Sequence, residues 1–165
     1  MIYHCIRFTL KPGVSAEDEA AGLAQMREHI NAIPAITSRV VGPDIGGEFD
    51  YGAVSVLENL QAYEEYMNHP AHLEMDRVGL PLVDKFVSFD ITDDPDPAVG
   101  DKIAEIHRRR FDGIPDIAEL VSDLAEYTGS AAPGKHGNQP APGSVGGKST
   151  SMHNPRIARG EQGSG

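Results

Sequence analysis

Two hydrophobic periodicities alternate along residues 1–92 and constrain the fold of this part of the chain. Residues 2–10 alternate between two faces over nine positions, which is typical of a strand. Leu23, Met26 and Ile30 then follow at helical spacing. Further strand patterns at 36–41, 51–58 and 85–91 and a second helical pattern after Asn59 complete the series. The predicted order is β-α-β-β-α-β, an α+β ferredoxin-like arrangement whose sheet has helices on one face only.

Local signals predict where the helices begin and break. Ser15 and Asn59 are good N-cap residues, each directly before a helical pattern. Pro70 interrupts the second helix, because proline lacks an N–H group and disfavours helical geometry at His69. We expect an irregular helical piece from His72 to about residue 83.

The face of the sheet without helices predicts self-association. It would leave an apolar surface in water that is larger than a monomer tolerates. Two sheets packed face to face remove this cost, so we expect a homodimer whose paired sheets enclose an apolar chamber. In the alternative, the residues after Pro97 fold back over the open face. Cys5, on the opposite strand face from His4, is expected to lie under the helices and to have no chemical role.

Charge excludes two classes of partner. Residues 1–97 carry six Lys or Arg and 17 Asp or Glu, whereas residues 98–165 carry eight of each sign. The acidic first part opposes binding to nucleic acid and to anionic membranes. The basic run Arg108-Arg109-Arg110 is flanked by acidic residues and is interpreted as a solvated helix end. With Cys5 as the single cysteine and no apolar stretch of membrane-spanning length, a cytoplasmic location is predicted.

The rest of the chain divides into three regions. Residues 93–100 form an acidic, proline-rich linker. Residues 101–127 contain short amphipathic helices, the second starting near Pro115, and this 115–127 helix is expected to dock on its own domain or on a protein partner. Residues 128–165 contain 18 Gly, Pro or Ser among 38 residues and are predicted to be a disordered tail.

Three histidines and one tyrosine are the candidates for chemistry: His4, Tyr66, His69 and His72. Imidazole exchanges protons near neutral pH, and a phenol can hydrogen-bond a carbonyl oxygen that becomes anionic. Each histidine also has a structural interpretation, as a buried side chain satisfied by hydrogen bonds. The proline between His69 and His72 would splay them, and no carboxylate has suitable spacing, so no metal site and no cofactor are predicted.

The segment Tyr63-x-x-Tyr66-x-x-His69-Pro70-x-His72 gives the chain a family resemblance. Together with the opening Ile-Tyr-His and the later Phe89-Asp90, it resembles the stress-responsive A/B-barrel (Dabb) family over about residues 1–92. The resemblance implies a dimeric α+β barrel.

The resemblance also implies roles for single residues, by similarity to a cofactor-free polyketide cyclase of the family. His72 would be the general base, and Tyr66 would hold the carbonyl oxygen. The positions implied to bind substrate are His4, Ile6, Phe8, Met26, Ala53 and His69. At Ala53 the cyclase has a pocket histidine instead, which changes the expected substrate.

Three functions remain open from the sequence. The first is a cofactor-independent cyclase or isomerase acting on a small apolar, polyketide-like carbonyl compound. The second is a non-catalytic stress-response module that binds a ligand, or a partner through the 115–127 helix. The third is a heme-binding or oxygen-using relative of the same barrel.

Overall fold

A computed structural model gives the fold and describes residues 1–132. The elements in chain order are β1 (Ile2–Leu10), α1 (Ala16–Asn31), β2 (Ile36–Pro43), β3 (Tyr51–Leu57), α2 (Leu60–Asn68), α3 (Pro70–Gly79), a 3-10 turn (Leu80–Leu82), β4 (Val83–Thr92), α4 (Val99–Gly113), α5 (Pro115–Ser122) and β5 (Glu126–Gly129). Most of the predicted tail, residues 133–165, lies outside the described residues. No helix among the described residues is both long and apolar enough to cross a membrane.

The sheet has five strands in the order β2-β3-β1-β4-β5. The central strand β1 is antiparallel to both β3 and β4, and β2 is antiparallel to β3. The fifth strand, β5, joins the edge of β4 in parallel. The predicted β-α-β-β-α-β order through β4 is confirmed, with α4, α5 and β5 added after it.

The predicted caps are present at the starts of α1 and α2. The Ser15 side chain accepts a hydrogen bond from the Asp18 N–H, and Asn59 accepts one from Ala62. At the predicted break, His69 is extended and α3 starts directly at Pro70. The piece from His72 is a regular helix as far as Gly79, because α3 starts at Pro70 and the first helical position suits proline. The expected irregularity is present at its end, where a 3-10 turn, Leu80–Leu82, contains Pro81.

The helices cover the face of the sheet that carries His4. Its ring lies 5.6 Å from Tyr63 and 5.7 Å from Tyr66 of α2, measured between ring centroids. Cys5 therefore lies on the opposite, open face, between its neighbours Val54 and Phe89, and the expectation that it packs under the helices is wrong. The helices cover the more apolar face of β1, which carries Ile2, Ile6, Phe8 and Leu10, whereas the open face includes Arg7 and Thr9.

The open face of the sheet keeps large apolar side chains in contact with solvent. Exposure is 60% for Val40, 58% for Ile91 and 39% for Phe89. The added helices do not cover this face: α4 packs against α2, and α5 against α3. Residues 98–132 therefore do not fold back over the open face, as the alternative expected of the region after Pro97.

We expect this open face to be the contact between two copies of the chain. Phe89→Glu places a charge at its centre beside Cys5 and should convert a dimer to a monomer, because a buried unpaired carboxylate is costly. Sedimentation velocity measures the change. Ile45→Glu is the matched control, since Ile45 is 89% exposed in the β2–β3 loop and should leave the dimer intact. A monomeric wild-type protein would contradict this expectation.

The strand β5 occupies residues that the sequence assigned to the end of a helix and the start of a tail. Helix α5 ends at Ser122, and Tyr127 packs edge-on against Phe86 with 5.0 Å between ring centroids. Backbone groups of the next residues bind Ser88: the N–H of Ser130 donates to its carbonyl at 2.9 Å, and the N–H of Ala131 to its hydroxyl at 3.2 Å. The unpaired edge of β4, which no local pattern reveals, explains why these residues are extended.

Gly129→Ala tests this attachment. Gly129 has φ +120°, and an added Cβ would lie 1.6 Å from the Ser88 carbonyl oxygen. Strain and displacement of β5 should lower the free energy of unfolding by about 1–3 kcal/mol in urea denaturation. Gly100→Ala in α4 has open space at its Cβ and should be neutral or stabilising by about 0.5–1 kcal/mol. Equal stability of the two variants would show that β5 does not hold this position.

Candidate functional site

A cavity of ≈ 100 Å³ lies between the helix-covered face of the sheet and the helices of the same chain. Its apolar wall comes mainly from β1, α1 and β4, with Ile6, Phe8, Met26 and Phe86 among the lining residues. Polar side chains also line it: His4, Tyr66, His72, Asp76, His107 and Arg110. The expectation of a chamber enclosed by two sheets is wrong for this cavity, because the helix layer rather than a second sheet closes it.

Most of the residues that the resemblance singled out line this one cavity. These are His4, Ile6, Phe8, Met26, Tyr66 and His72. The structure places the other two elsewhere. The Nδ1 atom of His69 accepts a hydrogen bond from the Ala71 N–H, so this side chain caps α3. Ala53 is buried in the core, in register with Ile6 and Val41.

The break between α2 and α3 brings Tyr66 and His72 together. Tyr66 lies in the last turn of α2 and His72 in the first turn of α3. Their ring centroids are 4.3 Å apart and the rings meet edge to face. Both side chains are buried, and burial raises the pKa of the Tyr66 phenol above its usual value although a hydrogen bond with Ser55 opposes this. Tyr66 is therefore a protonated hydrogen-bond donor at neutral pH.

His72 is held as a neutral base. Its Nε2 lies 3.7 Å from Oδ1 of Asp76, one helical turn later, whereas its buried Nδ1 has no hydrogen-bond partner among residues 1–132. Burial lowers the pKa of His72 well below its usual value, and the Arg110 guanidinium and the two other cavity histidines lower it further, with weak opposition from the Tyr66 carbonyl. A neutral imidazole keeps one ring nitrogen with a free lone pair, which can accept a proton.

Asp76 links His72 to the C-terminal helices. The Nη2 group of Arg110, from α4, donates a hydrogen bond to Oδ2 of Asp76. Burial raises the pKa of Asp76, and the Arg110 guanidinium opposes that rise. Arg110 is only 5% exposed, and its Nε has no hydrogen-bond partner among the described residues.

A second polar cluster lies beside the first and joins the sheet to α4. Nδ1 of His4 is 2.8 Å from Oδ1 of Asp90, and the hydroxyl of Tyr63 is 2.8 Å from Nε2 of His107. The same hydroxyl donates to Asp90 at 3.3 Å. Burial acts to raise the pKa of Asp90, but the charge and hydrogen bond of His4 outweigh it, so the pKa is below its usual value. These contacts fix the position and orientation of His4 in the cavity wall.

Sequence reasoning missed Asp76, His107 and Arg110. The run of three arginines was interpreted as a solvated helix end, which holds for Arg108 and Arg109 with their exposed acidic partners but not for Arg110. The sequence of α4 does contain a signal for this buried face. Four residues share one buried face of α4 at positions i, i+3, i+4 and i+7: Ile103, Ile106, His107 and Arg110.

The depressed pKa of His72 predicts a pH dependence of stability. In the unfolded chain a histidine titrates near a pKa of about 6.5, so below that pH the unfolded state binds a proton that the folded state does not. The free energy of unfolding should then fall with decreasing pH by up to about 1.4 kcal/mol per pH unit. Urea denaturation from neutral to mildly acidic pH measures this slope.

His72→Gln should flatten the slope, because it removes this one titration. The other groups that face His72, namely Asp76, Arg110, His4 and His107, remain in both proteins. Equal slopes for wild type and variant would show that His72 is not held in the neutral form.

Comparisons with known proteins agree with this fold. A Dabb family protein from Mesorhizobium loti is 26% identical, with a TM-score of 0.51 over 55% of this chain and 94% of that chain. An Arabidopsis thaliana protein is 25% identical, with a TM-score of 0.51 over 57% and 96%. A hydroxynitrile lyase from Passiflora edulis shares the fold at 18% identity, with a TM-score of 0.51 over 56% and 94%. The search of curated proteins found no match.

The family model gives the assignment. The model of the stress responsive A/B barrel domain, Dabb, matches residues 2–93, which is more than half of the 165 residues. Helices α4 and α5 and strand β5 lie beyond this match, although they supply part of the cavity wall. The chain belongs to the stress responsive A/B barrel domain family.

Proposed function

We propose that this protein is a cofactor-independent enzyme that removes a proton next to the carbonyl group of a small, largely apolar compound. The observation that carries the proposal is the contact of Tyr66 with His72, 4.3 Å between ring centroids, in the wall of a largely apolar cavity. A neutral imidazole is a general base, and a protonated phenol beside it is a hydrogen-bond donor.

The proposed step is enolisation. The C–H bond next to the carbonyl breaks, the proton bonds to the basic ring nitrogen of His72, and the electron pair moves to the carbonyl oxygen. The Tyr66 hydroxyl donates a hydrogen bond to this oxygen as it becomes anionic. Return of the proton to another carbon gives isomerisation, and attack of the enolate carbon on a second carbonyl gives cyclisation. Apolar walls from Ile6, Phe8 and Met26 exclude water from the reacting atoms.

The cavity volume limits the substrate. One water needs about 10–15 Å³ on this scale, so ≈ 100 Å³ holds about seven to ten non-hydrogen atoms. A linear tetraketide thioester is larger than this. The volume therefore favours a carbonyl compound smaller than the polyketide that the family resemblance suggested.

The alternative, a non-catalytic module, loses part of its motivation. Its proposed partner-binding helix, α5, is used within the chain: Ile117 is fully buried and packs in a cluster with Leu80 and Val121. What remains of the alternative is a cavity that binds a ligand without turnover. The hydroxynitrile lyase of similar fold is an enzyme, but at 18% identity that likeness concerns the fold alone.

Deuterium exchange tests the proposal directly. The protein is incubated in D₂O with small ketones and 1,3-dicarbonyl compounds, and NMR follows the loss of protons next to the carbonyl. We expect catalysed exchange, reduced about 10²- to 10⁴-fold by His72→Gln and by Tyr66→Phe.

A control histidine separates catalysis from general effects of substitution. His29 lies in the last turn of α1 and does not line the cavity, so His29→Gln should keep the wild-type exchange rate. Folding of each variant is checked by circular dichroism. Full activity in folded His72→Gln and Tyr66→Phe would refute the mechanism, and binding without exchange would favour the non-catalytic module.

A further inference from the structure

One ring nitrogen of His4 is held by a buried carboxylate. Its Nδ1 lies 2.8 Å from Oδ1 of Asp90. Burial acts to raise the pKa of Asp90, but the charge and hydrogen bond of His4 hold it below its usual value, so Asp90 is ionised at neutral pH. An ionised carboxylate only accepts hydrogen bonds, so the hydrogen of this contact is on Nδ1. The Tyr63 hydroxyl donates to the other carboxylate oxygen at 3.3 Å, and both oxygens of Asp90 are therefore in use.

The second ring nitrogen of His4, Nε2, is accessible from the cavity. Both side-chain hydrogen bonds of His4 within residues 1–132 are at Nδ1, so Nε2 has no partner there. The unpartnered polar atoms that the protein encloses completely include Nδ1 of His72 and Nε of Arg110, but not Nε2 of His4. Since His4 is only 5% exposed and lines the cavity, the free space that Nε2 reaches is the cavity itself.

The two histidines that adjoin Tyr66 have opposite electrostatic surroundings. Burial and the Arg110 guanidinium lower the pKa of His72, which makes it a neutral base. The partner of His4 is an ionised carboxylate, which stabilises a positive charge on the ring. Two titratable groups whose surroundings favour opposite protonation states are suited to be the acid and the base of one reaction. Tyr66 packs against both rings, with centroid distances of 5.7 Å to His4 and 4.3 Å to His72.

We propose that His4 is a general acid that completes the reaction begun by His72, and that the substrate is a small β,γ-unsaturated ketone. This deepens the proposed function, on which it rests for the first step. An acid separate from the base serves a reaction in which a proton leaves one carbon and another proton arrives at a different carbon. Isomerisation of a β,γ-unsaturated ketone to its conjugated isomer is such a reaction, and a small ketone of this class fits the cavity volume of ≈ 100 Å³.

The proposed step balances as follows. His72 removes the proton next to the carbonyl, and the electron pair is delocalised between the carbonyl oxygen and the γ-carbon. The Nε2–H bond of His4 then breaks and its proton bonds to the γ-carbon, while the carbonyl double bond re-forms and the C=C bond moves into conjugation. His4 is left neutral and His72 charged. After the product leaves, His72 releases one proton to water and His4 takes one from water.

Incubation with 4-penten-2-one in D₂O tests the two histidines in one NMR experiment. Loss of the protons next to the carbonyl in the remaining substrate reports the step of His72, and formation of 3-penten-2-one reports the complete isomerisation. We expect the wild-type protein to catalyse both. His4→Gln should lower the isomerisation rate about 10²- to 10⁴-fold and leave the exchange rate close to that of wild type. A residue with a purely structural role would lower both rates together.

Asp90→Asn is a second, independent variant. The side chain keeps its shape, but a neutral amide does not stabilise a charge on His4, so isomerisation should fall more than exchange does. His29→Gln, in the last turn of α1 and outside the cavity, is the matched control and should keep both rates. Circular dichroism checks folding, and if His4→Gln does not fold, Asp90→Asn decides. Unchanged isomerisation in a folded variant, or an equal loss of both rates, would overturn the proposal.

The outcomes separate this proposal from the proposed function. Exchange that depends on His72, without isomerisation of 4-penten-2-one by the wild-type protein, would uphold the proposed function and refute the role of His4. Absence of both exchange and isomerisation would refute the proposed function, and the role of His4 with it.

Discussion

The structure depends on charged and polar side chains that are buried under the helix layer and must be paired there. Asp76 of α3 pairs with Arg110 of α4, and Tyr63 of α2 forms a hydrogen bond with His107, also of α4. Breaking one partner of a buried ion pair leaves an uncompensated charge, which is strongly destabilising. These two contacts therefore hold α4 against the part of the chain that matches the family model, residues 2–93, and set the register in which α4 packs. Because α4 is fixed in this way, the cavity has a closed wall on the side of the helices.

The same contacts give His72 its chemical character. A histidine in water would be partly charged near neutral pH, and a charged imidazole cannot act as a base. Burial by the helix layer and the nearby guanidinium both disfavour the proton. The helix break at His69 and Pro70 has a complementary role, because it turns the start of α3 so that His72 meets Tyr66. Packing and electrostatics thus act on the same pair of side chains.

Local patterns were sufficient for the elements of the domain, whereas the pair Tyr66 and His72 was singled out by the family resemblance. A strand is indicated by apolar side chains at every second position, and caps such as Ser15 and Asn59 bind the N–H group three residues later. Both features can therefore be predicted from short stretches of sequence. The helices cover the more apolar side of β1, with Ile2, Ile6 and Phe8, but Cys5 on the other side was expected under them.

What the sequence did not reveal depends on distant residues. The spacing in α4 places Arg110 on its buried face, but the partner of this charge, Asp76, lies 34 positions earlier and is not visible in that pattern. The four residues of β5 are extended because they complete the edge of β4, and a run this short has no periodicity to detect. The cavity itself was expected between two sheets, and its true place follows from which face the helices cover.

The short strand β5 also changes what the sheet offers to other molecules. An unpaired strand edge is a template on which an extended segment of another chain can add, which is a common start of aggregation. Strand β4 has ten residues, and β5 pairs with four of them, Lys85 to Ser88. Along this stretch the outer edge of the sheet is β5, which has four residues and ends at a glycine with positive φ. An edge so short and abruptly ended is a poor template, and β5 thereby protects the Lys85–Ser88 part of the sheet against strand addition.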